Sequence, residues 1–294
     1  MSVMGRADIE RLAAPLRRRA LAERRWADRS LRVGVGMAVV LVLLCLAPIV
    51  LGIPAPRQDL LQALQPPSLQ HLFGTDSLGR DIFQRSLFAG RTDLVFAVVT
   101  TYLSLAIGVL LGSIAGFAGG HTDSVIMRVV DVMVAFPFIV LLLAIAAIAG
   151  AGLTSAYVGV LLVGWALFAR LARGQMLVLR ERQFMLAGRT MGLSSTRIVL
   201  RHGIPNLIST SVVYSMADFV LNILVLASLS YLGLGVQPPT PEWGSMIADG
   251  QGYLFTAWWI STMPGLVIVY VGICLSLIGD GLADRLGTDF QLSP

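Results

Sequence analysis

Residues 181–206 read ERQFMLAGRTMGLSSTRIVLRHGIPN. This basic, glycine-broken stretch lies between two apolar runs, each long enough to cross a bilayer. Residues 180–191 suit a helix, Gly192 is a natural break, and Ser194 or Ser195 can cap a second helix that runs to about residue 202. Pro205 then sets the start of the next apolar run. Phe184, Met185, Met191, Leu193 and Ile198 place apolar side chains among the arginines. Two physical uses fit that pattern: lying flat on anionic lipid, or protruding into a groove on a partner, with the glycine as an elbow.

Outward from this stretch, the chain has 294 residues, of which 56% are hydrophobic and only 13% charged, more apolar surface than one water-soluble core can bury. Crossing a hydrocarbon layer of about 30 Å takes about 20 apolar residues. Six segments qualify, at 33–53, 94–117, 126–150, 156–172, 207–236 and 259–279. The expected class is therefore an all-α membrane protein with six transmembrane helices. It divides into a basic N-terminal tail (1–32), a first span (33–53), an extracytoplasmic segment (54–93), a five-span core (94–282) with the elbow at about 180–206, and a C-terminal tail (283–294). The first apolar run follows about 32 residues carrying nine arginines, too late and too long for a cleaved signal, so it reads as a retained span.

All 22 basic residues are arginine. With the N-terminus inside, 18 fall on the cytoplasmic side, and Arg57, Arg80, Arg85 and Arg91 fall outside. That bias puts both termini and the elbow in the cytoplasm. The net charge of +5 is thus a membrane-surface feature, and no nucleic-acid partner is expected. A P-loop needs a lysine that reaches the phosphates, and this chain has none. It is expected not to be an enzyme. No catalytic triad, carboxylate pair or metal-spaced cluster stands out, and Cys45 and Cys274 sit singly in apolar runs. Energy for transport would come from an ion gradient or from a separate ATPase acting on the cytoplasmic side.

Within the spans, Thr100, Ser104, Gly108, Gly112, Gly116 and Gly120 recur every fourth residue, a face made for close helix packing. The run at 207–236 carries Tyr214, Asp218 and Asn222 on nearly one face. A carboxylate there costs about 2.5–3.5 kcal/mol if it meets lipid, so Asp218 must point inward. It either lines a translocation path with Tyr214 and Asn222 or is satisfied by them. Outside, QPPTPEWGSMIADGQGYLFTAWW (237–259) is stiffened by Pro238, Pro239 and Pro241 and rich in aromatics. It serves either as a headgroup anchor or as a docking surface centred on Pro239 and Trp243.

LAGRTMGLSSTRIVLRHGIPN (186–206) resembles the cytoplasmic EAA loop of binding-protein-dependent ABC importer permeases, with Ala187, Gly188, Gly192, Ile204 and Pro205 in the matching places. FGTDSLGRDIFQRSLFAGR (73–91), MRVVDVMVAFP (127–137), LSYLGLGVQPPTPEWGSMI (229–247) and LIGDGLADRL (277–286) resemble further stretches of the dipeptide, oligopeptide and nickel branch. Leu186 stands where the EAA pattern has glutamate, and Leu226 where relatives often have one. The resemblance implies a type I ABC importer permease fold in the bacterial inner membrane. It implies as partners a second homologous permease, two ABC ATPases and an extracytoplasmic solute-binding protein. The elbow would then be the coupling helix, through Leu186, Ala187, Gly188, Met191, Gly192, Leu193, Arg197, Arg201 and Pro205. No cofactor is expected on this chain; ATP and Mg would be held by the ATPases. Short peptides are the expected cargo, with nickel or another small solute as the alternative. An ion-coupled carrier using Asp218 is the rival from another class.

Overall fold

A computed structural model describes the backbone of residues 6–291 and the side chains of residues 26 and 28–286. Among the described residues the regular structure is helical, apart from one bridge between Thr75 and Asp81. Helix α1 (Arg6–Val50) carries the first span. An irregular outer segment follows, and then α2 (Ile82–Ala118), α3 (Gly120–Ala135), α4 (Phe138–Ala149) and α5 (Leu153–Leu179). The elbow holds α6 (Gln183–Thr190) and α7 (Ser195–Ile198); a π turn at Val199–Gly203 leads into α8 (Ile204–Tyr231). A short outer helix α9 (Trp243–Asp249) precedes α10 (Trp259–Gln291).

Among the described residues five helices are long and apolar enough to cross a membrane, and a bent pair of shorter helices makes a sixth if it counts as one span. The segment expected as a straight span at 126–150 is instead α3 and α4, bent by 85°. The cause is local. Pro137 cannot donate a helix hydrogen bond, and it pushes Phe136 into the extended region at φ −89°, ψ 141°. The second span also begins earlier than residue 94, at Ile82, where the Asp81 carboxylate accepts from the Gln84 N–H at 2.8 Å and caps α2. The expected gap between the second cytoplasmic helix and the next span is closed by the π turn, so residues Ser195–Tyr231 form one continuous rod.

The small-residue face of α2 packs as its spacing predicts through Gly116, whereas Gly120 falls in α3, where an added Cβ would meet nothing within 4 Å. The face packs on α5 so closely that a Cβ added at Gly112 would lie 2.2 Å from the Ala169 carbonyl oxygen, leaving no room for any side chain. Phe168, Ala169 and Ala172 of α5 are fully buried in or beside this seam. On its other side α2 meets α8 and, through α9, the outer half of α10. There Trp243, Ile82, Ala89, Ile223 and Ile260 form the largest apolar cluster. Helix α1 lies against α10, with the Cys274 thiol donating to the Gly34 carbonyl and Tyr270 to the Met37 carbonyl.

Candidate functional site

The elbow is built on an apolar inner side. Met185 of α6 and Ile198 of α7 are fully buried, and with Val199 they pack against Met176 and Leu179 of α5 and Leu207 of α8. Gly192 turns the chain at φ +77°, a left-handed conformation that favours glycine. The Leu193 N–H then returns to the Gly188 carbonyl at 3.1 Å, closing the end of α6. Ser194, rather than Ser195, caps α7 by accepting from the Arg197 N–H. Arg189 stacks over the Phe117 ring at the C-terminal end of α2, 4.5 Å from its centroid, and Arg180 donates to the Gly116 carbonyl. The elbow is thus fastened to the ends of α2, α5 and α8.

Its outer side is open. Leu186, Ala187, Met191, Gly192, Arg197, Arg201 and Pro205 are exposed, Leu193 is half-buried, and Gly188 is buried against Ile198 and Leu193. Met191, at 73% exposure, is the most prominent apolar knob. A surface of this shape, rigid below and apolar with cations above, can be gripped by a partner and moved as a unit.

The path reading of the α8 triplet needs correcting. Asp218 and Asn222 are 8% and 4% exposed, and the chain's own α2 covers them. Asn222 Nδ2 donates to Thr101 Oγ1 at 2.8 Å and to Asp218 Oδ2 at 3.0 Å, and Thr101 also bonds to Asp218. Tyr214 makes an edge contact with Phe168, ring centroids 5.2 Å apart. Asp218 and Asn222 form a hydrogen-bonded polar seam between α2 and α8, and Tyr214 lies beside it against α5. The face of α8 left uncovered is the adjacent stripe of Asn206, Thr210, Ala217, Leu221 and Leu224.

The docking expectation at Trp243 is corrected too. Trp243 is fully buried, its indole N–H donates to the Ser86 carbonyl at 3.0 Å, and its backbone N–H donates to Asp93 Oδ2. Pro239 is exposed. Sequence reading missed what holds this outer clasp together. The buried Glu242 carboxylate caps α9 by accepting from the N–H groups of Gly244 and Ser245, each at 2.7 Å, and its side chain meets that of Asp93. Asp76 is 1% exposed and binds Arg80 and Arg85, which reach across to Asp249 of α9. One local signal was present: Asp76 accepts from the N–H groups of Leu78 and Arg80, an Asx turn legible in TDSLGR. Its long-range partner on α9 had no such signal.

Residues 108–289 match the family described as binding-protein-dependent transport system inner membrane component. The match takes in the end of α2 with Gly108, Gly112 and Gly116, then α3 to α5, the elbow, α8, α9 and nearly all of α10. The chain belongs to this family. As an inner membrane component it is similar to the probable D,D-dipeptide transport system permease protein DdpC of Escherichia coli, with 36% identity over 89% of each chain. It is also similar to the dipeptide transport system permease protein DppC of Alkalihalophilus pseudofirmus, with 40% identity over 76% of this chain and 73% of that one. The glutathione transport system permease protein GsiD of Escherichia coli is 43% identical over 75% of this chain and 73% of its own. A chain of the inward-facing MetNI methionine ABC transporter shares the fold. Its TM-score is 0.56 at 16% identity, covering 67% of this inner membrane component and 94% of that chain. The all-α, multi-pass permease fold expected from sequence is the fold observed.

Proposed function

We propose that this inner membrane component is the permease half of an ATP-driven importer of short peptides, paired with a second permease, two ATPase subunits and an extracytoplasmic binding protein. The observation that carries the cargo is the agreement among relatives. Proteins named for D,D-dipeptide, dipeptide and glutathione transport match 75–89% of the chain at 36–43% identity. Family membership and the missing lysine favour this reading over a carrier that works alone. The elbow is the coupling helix. ATP-driven closure of the ATPases grips Leu186, Met191 and the neighbouring Arg197 and Arg201. The motion passes through Met185, Ile198 and Val199 to α5 and α8, which swing as rigid rods between inward- and outward-open states. ATP and Mg stay on the ATPases. Both termini are cytoplasmic, and the binding protein docks outside around Pro239, with Trp243 as an internal strut beneath it.

The test is reconstitution of the whole complex in proteoliposomes with binding protein and ATP. A peptide pool is expected to raise ATP hydrolysis and accumulate inside, and Ni²⁺ is expected to do neither. Stimulation by Ni²⁺ alone would replace the peptide reading with the nickel one. Uptake by the purified chain without ATPases would replace both with the carrier.

A further inference from the structure

Arg170 of α5 and Asp131 of α3 form an ion pair, N to O 2.9 Å, that leaves their side chains 50% and 63% exposed. The depth of the pair makes that exposure informative. α5 is about 40 Å long against a hydrocarbon layer of about 30 Å, so a centred helix overhangs by about 5 Å at each end. Arg170 lies about 13 Å from the cytoplasmic end of α5, which on a centred helix puts it within the layer, on its cytoplasmic side. Charges at that depth do not face lipid; they face protein or a water-filled passage.

The same side of α5 continues toward the cytoplasm. Gly174, Val178 and Arg182 follow Arg170 at intervals of four, and with Asn206, Thr210 and Val213 of α8 they line a cavity of about 600 Å³. Gln175 also lines it, and its buried Oε1 has no hydrogen-bond partner among the described residues. The ion pair and the cavity thus occupy one face of α5, between α3 on one side and the uncovered stripe of α8 on the other.

We propose that this face is the solute-facing wall of the passage, and that Arg170 and Asp131 read the carboxylate and ammonium termini of a short peptide as it passes. The chemistry is complementary. The empty pair is neutral, so an unoccupied passage holds no uncompensated charge. A zwitterion can exchange with it partner for partner, leaving every charge matched. A solute lacking one terminus strands either Arg170 or Asp131. Exposed ion pairs are weak, so the exchange needs no tight binding and does not trap the solute. Below the pair, the apolar walls tolerate varied side chains. The inference rests on the peptide reading of the cargo.

The test uses the full reconstituted complex and two variants. In the double variant Arg170→Gln with Asp131→Asn, the amides keep the size and hydrogen bonding of the pair and remove both charges. Assembly with the ATPases is expected at parental yield, while uptake of free peptide falls about tenfold, the size of one lost charge-assisted hydrogen bond. Gly174→Cys is tolerated on geometry, since an added Cβ there meets no atom within 4 Å. A charged, water-soluble thiol reagent is expected to label it rapidly, more slowly when transported peptide is present, and to leave Val39→Cys, on the exposed face of α1, unlabelled. Parental uptake by the assembled double variant would reduce the pair to a strut and overturn the inference. So would a Gly174→Cys thiol as inert as the one at Val39. If the unmodified complex imports no peptide at all, the cargo reading itself has failed and takes this inference with it.

Discussion

Replacing Gly112 with alanine tests the closest helix contact in the molecule. The new Cβ would stand 2.2 Å from the Ala169 carbonyl oxygen, about 1.2 Å short of the 3.4 Å at which ordinary contact begins. The atom it meets is backbone, so no rotamer change relieves the clash, and α2 and α5 must part. A gap of about 0.5–1 Å forfeits a quarter to a half of each dispersion contact it opens, and dispersion is the main force holding helices together in lipid. Overpacking of this kind costs about 1–3 kcal/mol, offset by about 1 kcal/mol from the better helix propensity of alanine. The net expectation is a loss of about 0–2 kcal/mol. Gly174→Ala is the internal control. It has the same chemistry on α5 with nothing within 4 Å, so only the propensity gain of about 1 kcal/mol remains. Thermal loss of the monodisperse complex, followed by fluorescence-detected size exclusion, should separate the two variants by about 2–12 °C, for a difference of about 1–3 kcal/mol at about 2–4 °C per kcal/mol. Midpoints within about 1 °C of each other would refute the close-packed seam.

Ser194→Cys should label only from the cytoplasm and Thr240→Cys only from outside; labelling of both from one side would break the assigned topology. Gly192→Pro, or Arg197→Glu combined with Arg201→Glu, should abolish ATP-driven uptake or strip the ATPases during purification. Full uptake and copurification in both variants would remove the coupling role from the elbow. Asp218→Asn should import free and N-acetylated peptides in the parental ratio, because the amide still accepts from Asn222 and Thr101 inside the α2–α8 seam. A selective fall for free-amine peptides would return Asp218 to the passage.

The sequence by itself determined the class of the protein, most of its apolar helices and the position of its elbow, and it carries the arginine bias on which the expected sidedness rests. These depend on quantities that are local along the chain: runs of about 20 apolar residues, arginines at span ends, a four-residue recurrence of small side chains, and a glycine between two helical stretches. Pro137 was equally visible as a helix break, but the 85° angle between α3 and α4 on either side of it is read only from the folded chain. Which way a side chain points at a given height depends on the neighbours that the fold brings in. Asp218 and Asn222 share a face that reads as polar and inward, and only the arrival of Thr101 from α2, 121 positions away in the chain, decided that inward means a sealed seam. Trp243 resembled a surface aromatic until Ser86 and Asp93 of α2 closed over it. The Arg170–Asp131 pair gave no sign in sequence, because its partners lie 39 residues apart on two helices that only the fold brings side by side. Burial and polar pairing are properties of the assembled helices, and the tertiary structure alone decided them.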